Sequence, residues 1–313
     1  MKTISIVGAN SFVGQHLTSL LLQDASLKLK LLSHSAISNS EHISEHVQYL
    51  KGDLLNPTSL NDFVHNSDIV INLAYLRGGT IEDNVAAVKN LYNVSEKHGV
   101  KRFIHCSTAV VVGRAKETVI NENSICVPKS NYEKSKYEVE QMLLTNNSDN
   151  CGIIILRPTA VFGFNGKNIV KIINDIRSGN KLLNYIKYYI YGYRKLNLVP
   201  VENVVGAIAF LIDYNHKLTN EVFIVSSDNS SNNNYRYLAD AVLSKLGRSN
   251  CWLKNSSLKT DILKYILFCS ARTVIEPMRT YSSEKLYKLG YVPCISFELA
   301  LEEYIECQLS GSS

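Results

Sequence analysis

No two of the seven cysteines (Cys106, Cys126, Cys151, Cys251, Cys269, Cys294, Cys307) are spaced as Cys-x-x-Cys, and their number is odd. A dispersed set of that kind excludes a disulfide scaffold and a zinc cluster, and it points to reduced thiols in the cytoplasm. No block of lysine and arginine is present. The net charge of +5 is too small and too scattered for a nucleic-acid surface, although it suits phosphorylated anions. Long apolar runs are missing as well: Val204 to Ile212 falls far short of the ~20 residues that span a bilayer. No targeting segment is expected, because the first residues run straight into a strand. There is no internal repeat, and the polar loop Asn229 to Asn234 is the nearest thing to low complexity. What remains is 313 residues, 45% apolar and 19% charged, the composition of a globular, enzyme-like chain of one large domain or two small ones.

The stretch with most content is the first. Lys2 to Val7 reads as a strand, Gly8 to Ser11 as a sharp turn, and Phe12 onward as a helix. Gly8 permits the tight turn, and Gly14 lets the helix pack closely on the strand. The turn aims backbone N–H groups and a helix N-terminus at one point, a site for an anion such as a pyrophosphate. Ser11 stands where a dinucleotide fingerprint carries its middle glycine, and its hydroxyl can donate a hydrogen bond. The cofactor candidates here are Gly8, Asn10, Ser11, Phe12, Val13 and Gly14.

The pattern then alternates. Strands are predicted at Leu27 to Leu32, Val47 to Leu50, Asp68 to Ala74, Arg102 to Thr108 and Gly152 to Leu156. Helices are predicted at 57–66, from Asn84 to His98 and from Asn131 to Leu144. That alternation predicts an α/β fold, a doubly wound parallel sheet of Rossmann type covered on both faces. Past Gly163 the rhythm changes. A helix at Ile169 to Ser178 precedes a tyrosine-rich run from Tyr185 to Lys195. Then come a strand at Val199 to Val201, a helix at Glu202 to Leu211, a strand at Glu221 to Ser226, and helices near 235–247, 257–268 and 296–307. The expectation is a dinucleotide-binding domain over 1–165 and a smaller C-terminal substrate lobe over 166–313, interleaved with it.

Tyr132 and Lys136 lie four apart on one helix face. A tyrosine has a pKa of about 10, and a neighbouring ammonium and the positive ring of an oxidised nicotinamide favour its phenolate. Protonated, the same phenol can deliver a proton to a carbonyl oxygen during hydride addition. Thr108 or Ser107, at the end of the preceding strand, can hold that oxygen. Tyr-x-x-x-Lys arises often by chance. Its weight here comes from its position, after the glycine turn and after a Ser-Thr strand end.

With these motifs in order the chain resembles the extended short-chain dehydrogenase/reductase, or NAD-dependent epimerase/dehydratase, family. The resemblance also rests on Gly52-Asp53-Leu54, Asn72-Leu73-Ala74, Ser107 to Gly113, Leu156 to Gly163, Val199 to Val204 and Lys288 to Pro293. It implies that Asp53 and Leu54 contact the adenine side and that Ala74 lines the phosphate and ribose. It implies that Lys136 binds the nicotinamide ribose and tunes Tyr132. It favours Thr108, five before Gly113, over Ser107 as the catalytic hydroxyl. It also places Arg194 and Lys195 where relatives carry a cation for a sugar-nucleotide pyrophosphate, with Arg272 or Arg279 as a second clamp.

The departures from the pattern are informative. NAD enzymes carry an acid after the second strand, whereas Ser33-His34-Ser35 has none. That tilts the expectation toward NADP over NAD, with His34 as the residue facing a 2′-phosphate. Ala109-Val110 replace the Asp-Glu pair of the nucleotide-sugar dehydratases, which speaks against water elimination. Ala160 and Val112 replace an Asn and a Tyr common in relatives. The reading that leads is an NAD(P)-dependent reductase of a keto group, at the 4 position, on a nucleotide-activated sugar. The rivals are a nucleotide-sugar 4-epimerase, a reductase of a non-sugar ketone, and a non-catalytic dinucleotide sensor. The tyrosines 185, 188, 189, 191 and 193 stack on a base or pack on the lobe or on a partner, which leaves a homodimer open. No metal, nucleic acid or membrane span enters the expectation.

Overall fold

Residues Gly152–Pro158 are buried at every position, as a central strand between two helical layers must be. The computed structural model describes residues 1–34, 46–146, 150–248, 258, 260–269 and 276–310. In chain order its strands and helices are β1 (Lys2–Val7), α1 (Phe12–Leu21), β2 (Leu27–Ser33), β3 (Val47–Lys51), α2 (Asn61–Val64), β4 (Ile69–Asn72), α3 (Ile81–Lys97), β5 (Arg102–Cys106), β6 (Val119–Ile120), α4 (Asn131–Leu144) and β7 (Gly152–Pro158). They continue with β8 (Ala160–Phe162), α5 (Val170–Ser178), α6 (Lys181–Tyr191), β9 (Leu198–Pro200), α7 (Val201–Asp213), β10 (Glu221–Val225), α8 (Tyr235–Lys245), α9 (Thr260–Cys269), β11 (Thr280–Tyr281), α10 (Glu284–Lys288) and α11 (Phe297–Ser310).

The main sheet is parallel and seven-stranded, in the order β10-β7-β5-β4-β1-β2-β3. β1 runs in register with β2 from Lys2↔Leu27 to Val7↔Leu32 and with β4 from Ile4↔Ile69 to Val7↔Asn72. The chain therefore winds outward from β1 to β3 and then reverses to β4. In doubly wound sheets that reversal leaves a crevice at the carboxyl ends of the two central strands, where ligands bind. The Rossmann-type α/β fold expected from the sequence is the fold observed.

By its contacts the chain divides into two compact units, Met1–Val111 with Pro128–Arg157 and Val205–Phe223, and Val112–Val127 with Pro158–Val204 and Ile224–Ser313. In the first, the strand residues Val70, Phe103, Ile153 and Ile155 pack with Val88, Leu91 and Tyr92 of α3 and with Val139 and Leu143 of α4. In the second, Phe162, Tyr188, Leu238, Val242, Phe297 and Tyr304 share a core. Asp228 is a polar hub of this unit. Its carboxylate accepts from the Asn197 amide at 2.7 Å, the Tyr281 N–H at 2.8 Å and the Asn233 amide at 2.9 Å.

Three elements differ from the sequence reading. Residues 57–66 are a single 3₁₀ turn at Pro57–Leu60 followed by the short α2. α3 begins at Ile81 rather than Asn84, because Thr80 and Asp83 form a reciprocal cap that starts the helix a turn earlier. The tyrosine-rich run, read without an assigned element, is largely the helix α6.

Candidate active site

The glycine turn is built as its sequence requires. Gly8 has φ +82°, which only glycine adopts without strain. A Cβ there would sit 3.0 Å from the Ala74 nitrogen and the Leu73 carbonyl carbon, so the turn presses against the loop leaving β4. A Cβ on Gly14 would lie 2.2 Å from the Gly8 carbonyl oxygen, which ties α1 to the turn. Ser11 is the N-cap of α1, and its Oγ accepts the Gly14 N–H at 3.1 Å. The hydroxyl proton remains able to donate, while the N–H groups of Phe12 and Val13 have no intrahelical acceptor. With the dipole of α1 behind them, they form a cradle that fits a pyrophosphate. Asn10, exposed, holds the Gln15 side chain through its carbonyl oxygen.

Three of the remaining cofactor candidates lie on neighbouring loops of this unit. Ala74 donates its N–H to the Asn72 side chain at 3.0 Å. Asp53 accepts the Leu55 N–H at 2.9 Å in a local turn, leaving one carboxylate oxygen for another partner. The Leu54 side chain belongs to the core, so what it can offer a ligand is backbone. His34 is exposed just past β2; Ser35 lies outside the described residues.

α4 carries the proton-transfer pair. It starts after Ser130, whose Oγ accepts the Glu133 N–H while Glu133 accepts the Lys129 and Ser130 N–H groups. That cap puts Tyr132 in the first turn and Lys136 one turn on. The Thr108 side chain is near enough to the Tyr132 hydroxyl to favour its ionised form. The residue as a whole is 41% exposed, open to an incoming molecule. Even so, burial and the neighbouring Cys106 push its pKa up to about 12, against smaller opposing effects of Thr108 and Arg77. Lys136 is not among the groups that act on this pKa; the lowering expected from its ammonium together with the positive ring of an oxidised nicotinamide concerns the cofactor-bound site. Lys136 is buried, donates to the Cys106 carbonyl oxygen at 2.9 Å and stands 5.6 Å over the Tyr75 ring. Burial pulls its own pKa down, partly offset by Cys106 and Glu140.

Sequence reasoning missed several residues here. Tyr75 packs edge to face on Tyr132 with ring centroids 5.0 Å apart, so it touches both members of the pair. An aromatic immediately after Asn-Leu-Ala was the available signal, but a lone loop aromatic also reads as ordinary packing. The Asn72 amide lies 3.1 Å from His105 Nδ1, which links the loop holding Ala74 to the strand ending at Cys106. His105 is buried, and burial together with Lys136 holds its pKa well below the ordinary value, so it is neutral.

The substrate candidates belong to the second unit. Arg194 lies just beyond α6, and Lys195 donates to the Ser230 carbonyl oxygen at 3.3 Å. Arg279 is fully buried and donates to the carbonyl oxygens of Gly113 at 2.8 Å and of Ala115. It is a strut rather than a clamp. Arg272 lies outside the described residues. No cluster of three or more metal-ligating side chains occurs among the described residues. No helix among them is long and apolar enough to cross a membrane.

Comparison with known proteins adds four findings. Residues 4–226 match the model of the NAD dependent epimerase/dehydratase family. The chain is 28% identical over 245 residues to the UDP-glucose 4-epimerase of Vibrio cholerae, covering 72% of this chain and 70% of that protein. It is 26% identical over 194 residues to the dTDP-4-dehydrorhamnose reductase of Aggregatibacter actinomycetemcomitans, covering 61% and 63%. Its fold is that of the dTDP-glucose 4,6-dehydratase from Bacillus anthracis solved with NAD, with a TM-score of 0.73, 15% identity, and coverage of 100% of this chain and 98% of that one.

Proposed function

The chain belongs to the NAD-dependent epimerase/dehydratase family, and on that premise we propose that it is an oxidoreductase that reduces a keto group, at the 4 position, of a nucleotide-linked sugar. One observation carries this reading. Tyr75 packs on Tyr132 and under the ammonium of Lys136, which puts the pair side by side near Thr108, in the same unit as an intact glycine turn. A dinucleotide-sensing protein with no chemistry to perform has no use for that pair.

The turn at Gly8 to Gly14 would hold the pyrophosphate, Asp53 and the Leu54 backbone the adenine side, and Lys136 the nicotinamide ribose. A nicotinamide dinucleotide bound there supplies or accepts a hydride. Thr108 holds the carbonyl oxygen of the substrate. Tyr132 gives that oxygen its phenolic proton as the oxygen becomes a hydroxyl. Its raised pKa keeps the proton in place until then, which suits an acid better than a base. Ala109 and Val110, at the strand end beside Thr108, carry no group able to transfer a proton, so the reading excludes dehydration. The lean to NADP has no support beyond the missing acid after β2, and the solved neighbour named above was determined with NAD.

A second reading, 4-epimerisation, is favoured by the Vibrio cholerae relative and uses the same residues in both directions. The experiment that separates the two is a panel of nucleotide 4-keto-sugars and UDP-sugars with NADH or NADPH. A reductase consumes reduced cofactor in proportion to product. An epimerase interconverts sugars with no net consumption. Absence of nicotinamide binding would overturn both.

A further inference from the structure

The polar loop that follows β10 takes no part in the proposed reaction. Its residues Asn229 to Ser231 form one wall of a cavity of about 510 Å³, and the segment from Pro293 into the first turn of α11 forms the other. That volume falls within the ~300–1,000 Å³ of ordinary small-molecule sites. All of the lining belongs to the second unit. Hydrogen bonds join the two walls. The Ser230 hydroxyl donates to Glu298 Oε1 at 2.6 Å, and the Asn232 amide donates to the same oxygen at 2.9 Å. The Asn203 side chain fixes the backbone of Ile295, accepting its N–H at 3.0 Å and donating to its carbonyl oxygen at 2.9 Å.

The groups left over in the cavity are of one kind. Ser227 lines it and is only 6% exposed, yet its hydroxyl has no partner among the described residues. A buried hydroxyl costs free energy unless water or a ligand completes it. The exposed Asn229 amide and Ser231 hydroxyl make no side-chain hydrogen bond among those residues either. The Ser296 hydroxyl accepts the Leu299 N–H at 3.3 Å and keeps its proton to donate. Burial pulls the Glu298 carboxyl up, but the Ser230 hydroxyl, its own N–H and the Asn232 amide together hold it below the ordinary value, so it is ionised. Both side-chain donors fall on Oε1, which leaves Oε2 as a charged acceptor. The N-terminus of α11 favours a negative charge, and Glu298 already supplies it. No lysine or arginine is among the lining residues. Such a set disfavours a phosphate or carboxylate. It is too poor in carboxylates for a divalent cation, which takes about six or more oxygens. It suits a ring bearing several hydroxyls, which donate to Oε2 and accept from the serines and the amide. Pro293, Ile295 and Phe297 add an apolar patch for the C–H face of that ring.

We propose that this cavity binds an uncharged carbohydrate, with Ser227 as the donor inside it and Glu298 as the charged acceptor. None of its lining residues has a role in the proposed reaction, and the inference does not depend on which reaction the first unit performs.

The test is a saturation-transfer NMR titration of the full chain with the methyl glycosides of glucose, galactose and N-acetylglucosamine, with inorganic phosphate and methylammonium as charged competitors. At least one glycoside is expected to bind with a Kd on the order of 1 mM, and neither charged probe is expected to displace it. Glu298→Gln keeps an oxygen for Ser230 and Asn232 but loses the charge, and is expected to weaken binding roughly tenfold or more. Ser227→Ala removes a hydroxyl that has no protein partner. Its thermal unfolding is expected to match the wild type while binding falls roughly three- to tenfold. No glycoside binding by the wild type overturns the proposal. Binding that either folded variant leaves unweakened also overturns it, because the sugar then lies elsewhere. So does displacement by phosphate or methylammonium, because the cavity is then a site for a charged ligand. None of these readouts uses turnover or cofactor, so failure of the reductase reading leaves the test intact.

Discussion

At the scale of single residues, the Tyr132 hydroxyl decides the direction in which the chemistry is easy. With its pKa held near 12, the phenol is protonated throughout roughly pH 6 to 9, so the acid needed for ketone reduction is present across that range. kcat/KM for reduction is therefore expected to be flat with pH. The reverse oxidation needs the phenolate, a minority form, and its rate is expected to climb about tenfold per pH unit. A reduction rate that declined between about pH 7 and 9 would place the phenol's pKa in that window. Tyr132→Phe keeps the edge-to-face packing on Tyr75 but removes the proton. A loss on the order of 10²–10⁴-fold in turnover is expected, with thermal unfolding unchanged. His105 gives a prediction of the other kind. Its folded pKa lies well below the ordinary value, so on acidification the unfolded chain takes up a proton that the folded chain refuses. Its contribution to stability is complete above about pH 6.5 and is lost as pH falls below it. His105→Gln keeps an acceptor for the Asn72 amide and cannot titrate. Denaturant unfolding near pH 7.5 and pH 5.5 is expected to show a smaller acid loss in the variant than in the wild type.

At the scale of elements, α4 is held by more than its cap. Arg157 of β7 grips Glu140 through Nε at 3.1 Å to both carboxylate oxygens and through a terminal nitrogen at 2.6 Å, with both side chains buried. Removing one partner of such a pair leaves a buried charge alone and costs about 3–5 kcal/mol. Glu140→Ala is expected to lower unfolding stability by that amount, measured in denaturant, and to loosen the helix that carries Tyr132 and Lys136. α1 offers a sharper contrast. Gly14→Ala drives a Cβ into the Gly8 carbonyl oxygen and is expected to weaken nicotinamide binding severely by calorimetric titration. Ser11→Ala removes the cap, at a cost of about 1 kcal/mol, and one donor of the cradle, so it is expected to weaken binding less than Gly14→Ala. These elements were legible because their signals are local: the glycines at 8 and 14, the four-residue spacing of Tyr132 and Lys136, apolar strands at regular spacing. The environment of the site was not. That Lys136 turns to the Cys106 carbonyl, that Tyr75 lies against Tyr132, and that Arg279 props Gly113 and Ala115 all depend on contacts between residues far apart in sequence, which no local pattern encodes. α6 was missed for a related reason. Its tyrosines and isoleucines are poor helix formers taken singly, and apolar residues on both sides obscure the one-faced period that marks a surface helix.

At the scale of the whole molecule, the change of rhythm near residue 165 is visible in the sequence. The return of 205–223 to the first unit and the placing of 112–127 in the second arise from long-range pairing. The consequence is measurable. Every cofactor candidate, from Gly8 to Lys136, lies in the first unit, whereas Arg194 and Lys195 lie in the second. A ligand that binds only the folded state raises stability by RT ln(1 + [L]/Kd), about 2.7 kcal/mol at a hundred times Kd. For units of this size each kcal/mol is worth roughly 2–4 °C, so saturating NAD(H) or NADP(H) is expected to raise Tm by roughly 5–10 °C in scanning calorimetry. If the units unfold separately, only the transition belonging to the first unit moves with cofactor, whereas a nucleotide sugar added alone also moves the other. If they unfold together, one peak shifts with either ligand. Gly8→Val separates binding from bulk effects in both cases. Its side chain meets the Ala74 and Leu73 backbone at a position that also demands φ +82°, so the cofactor shift is expected to vanish while the response to nucleotide sugar remains. A cofactor shift that survived in folded Gly8→Val would move the dinucleotide away from the β1 turn and take the proposed roles of Thr108, Tyr132 and Lys136 with it.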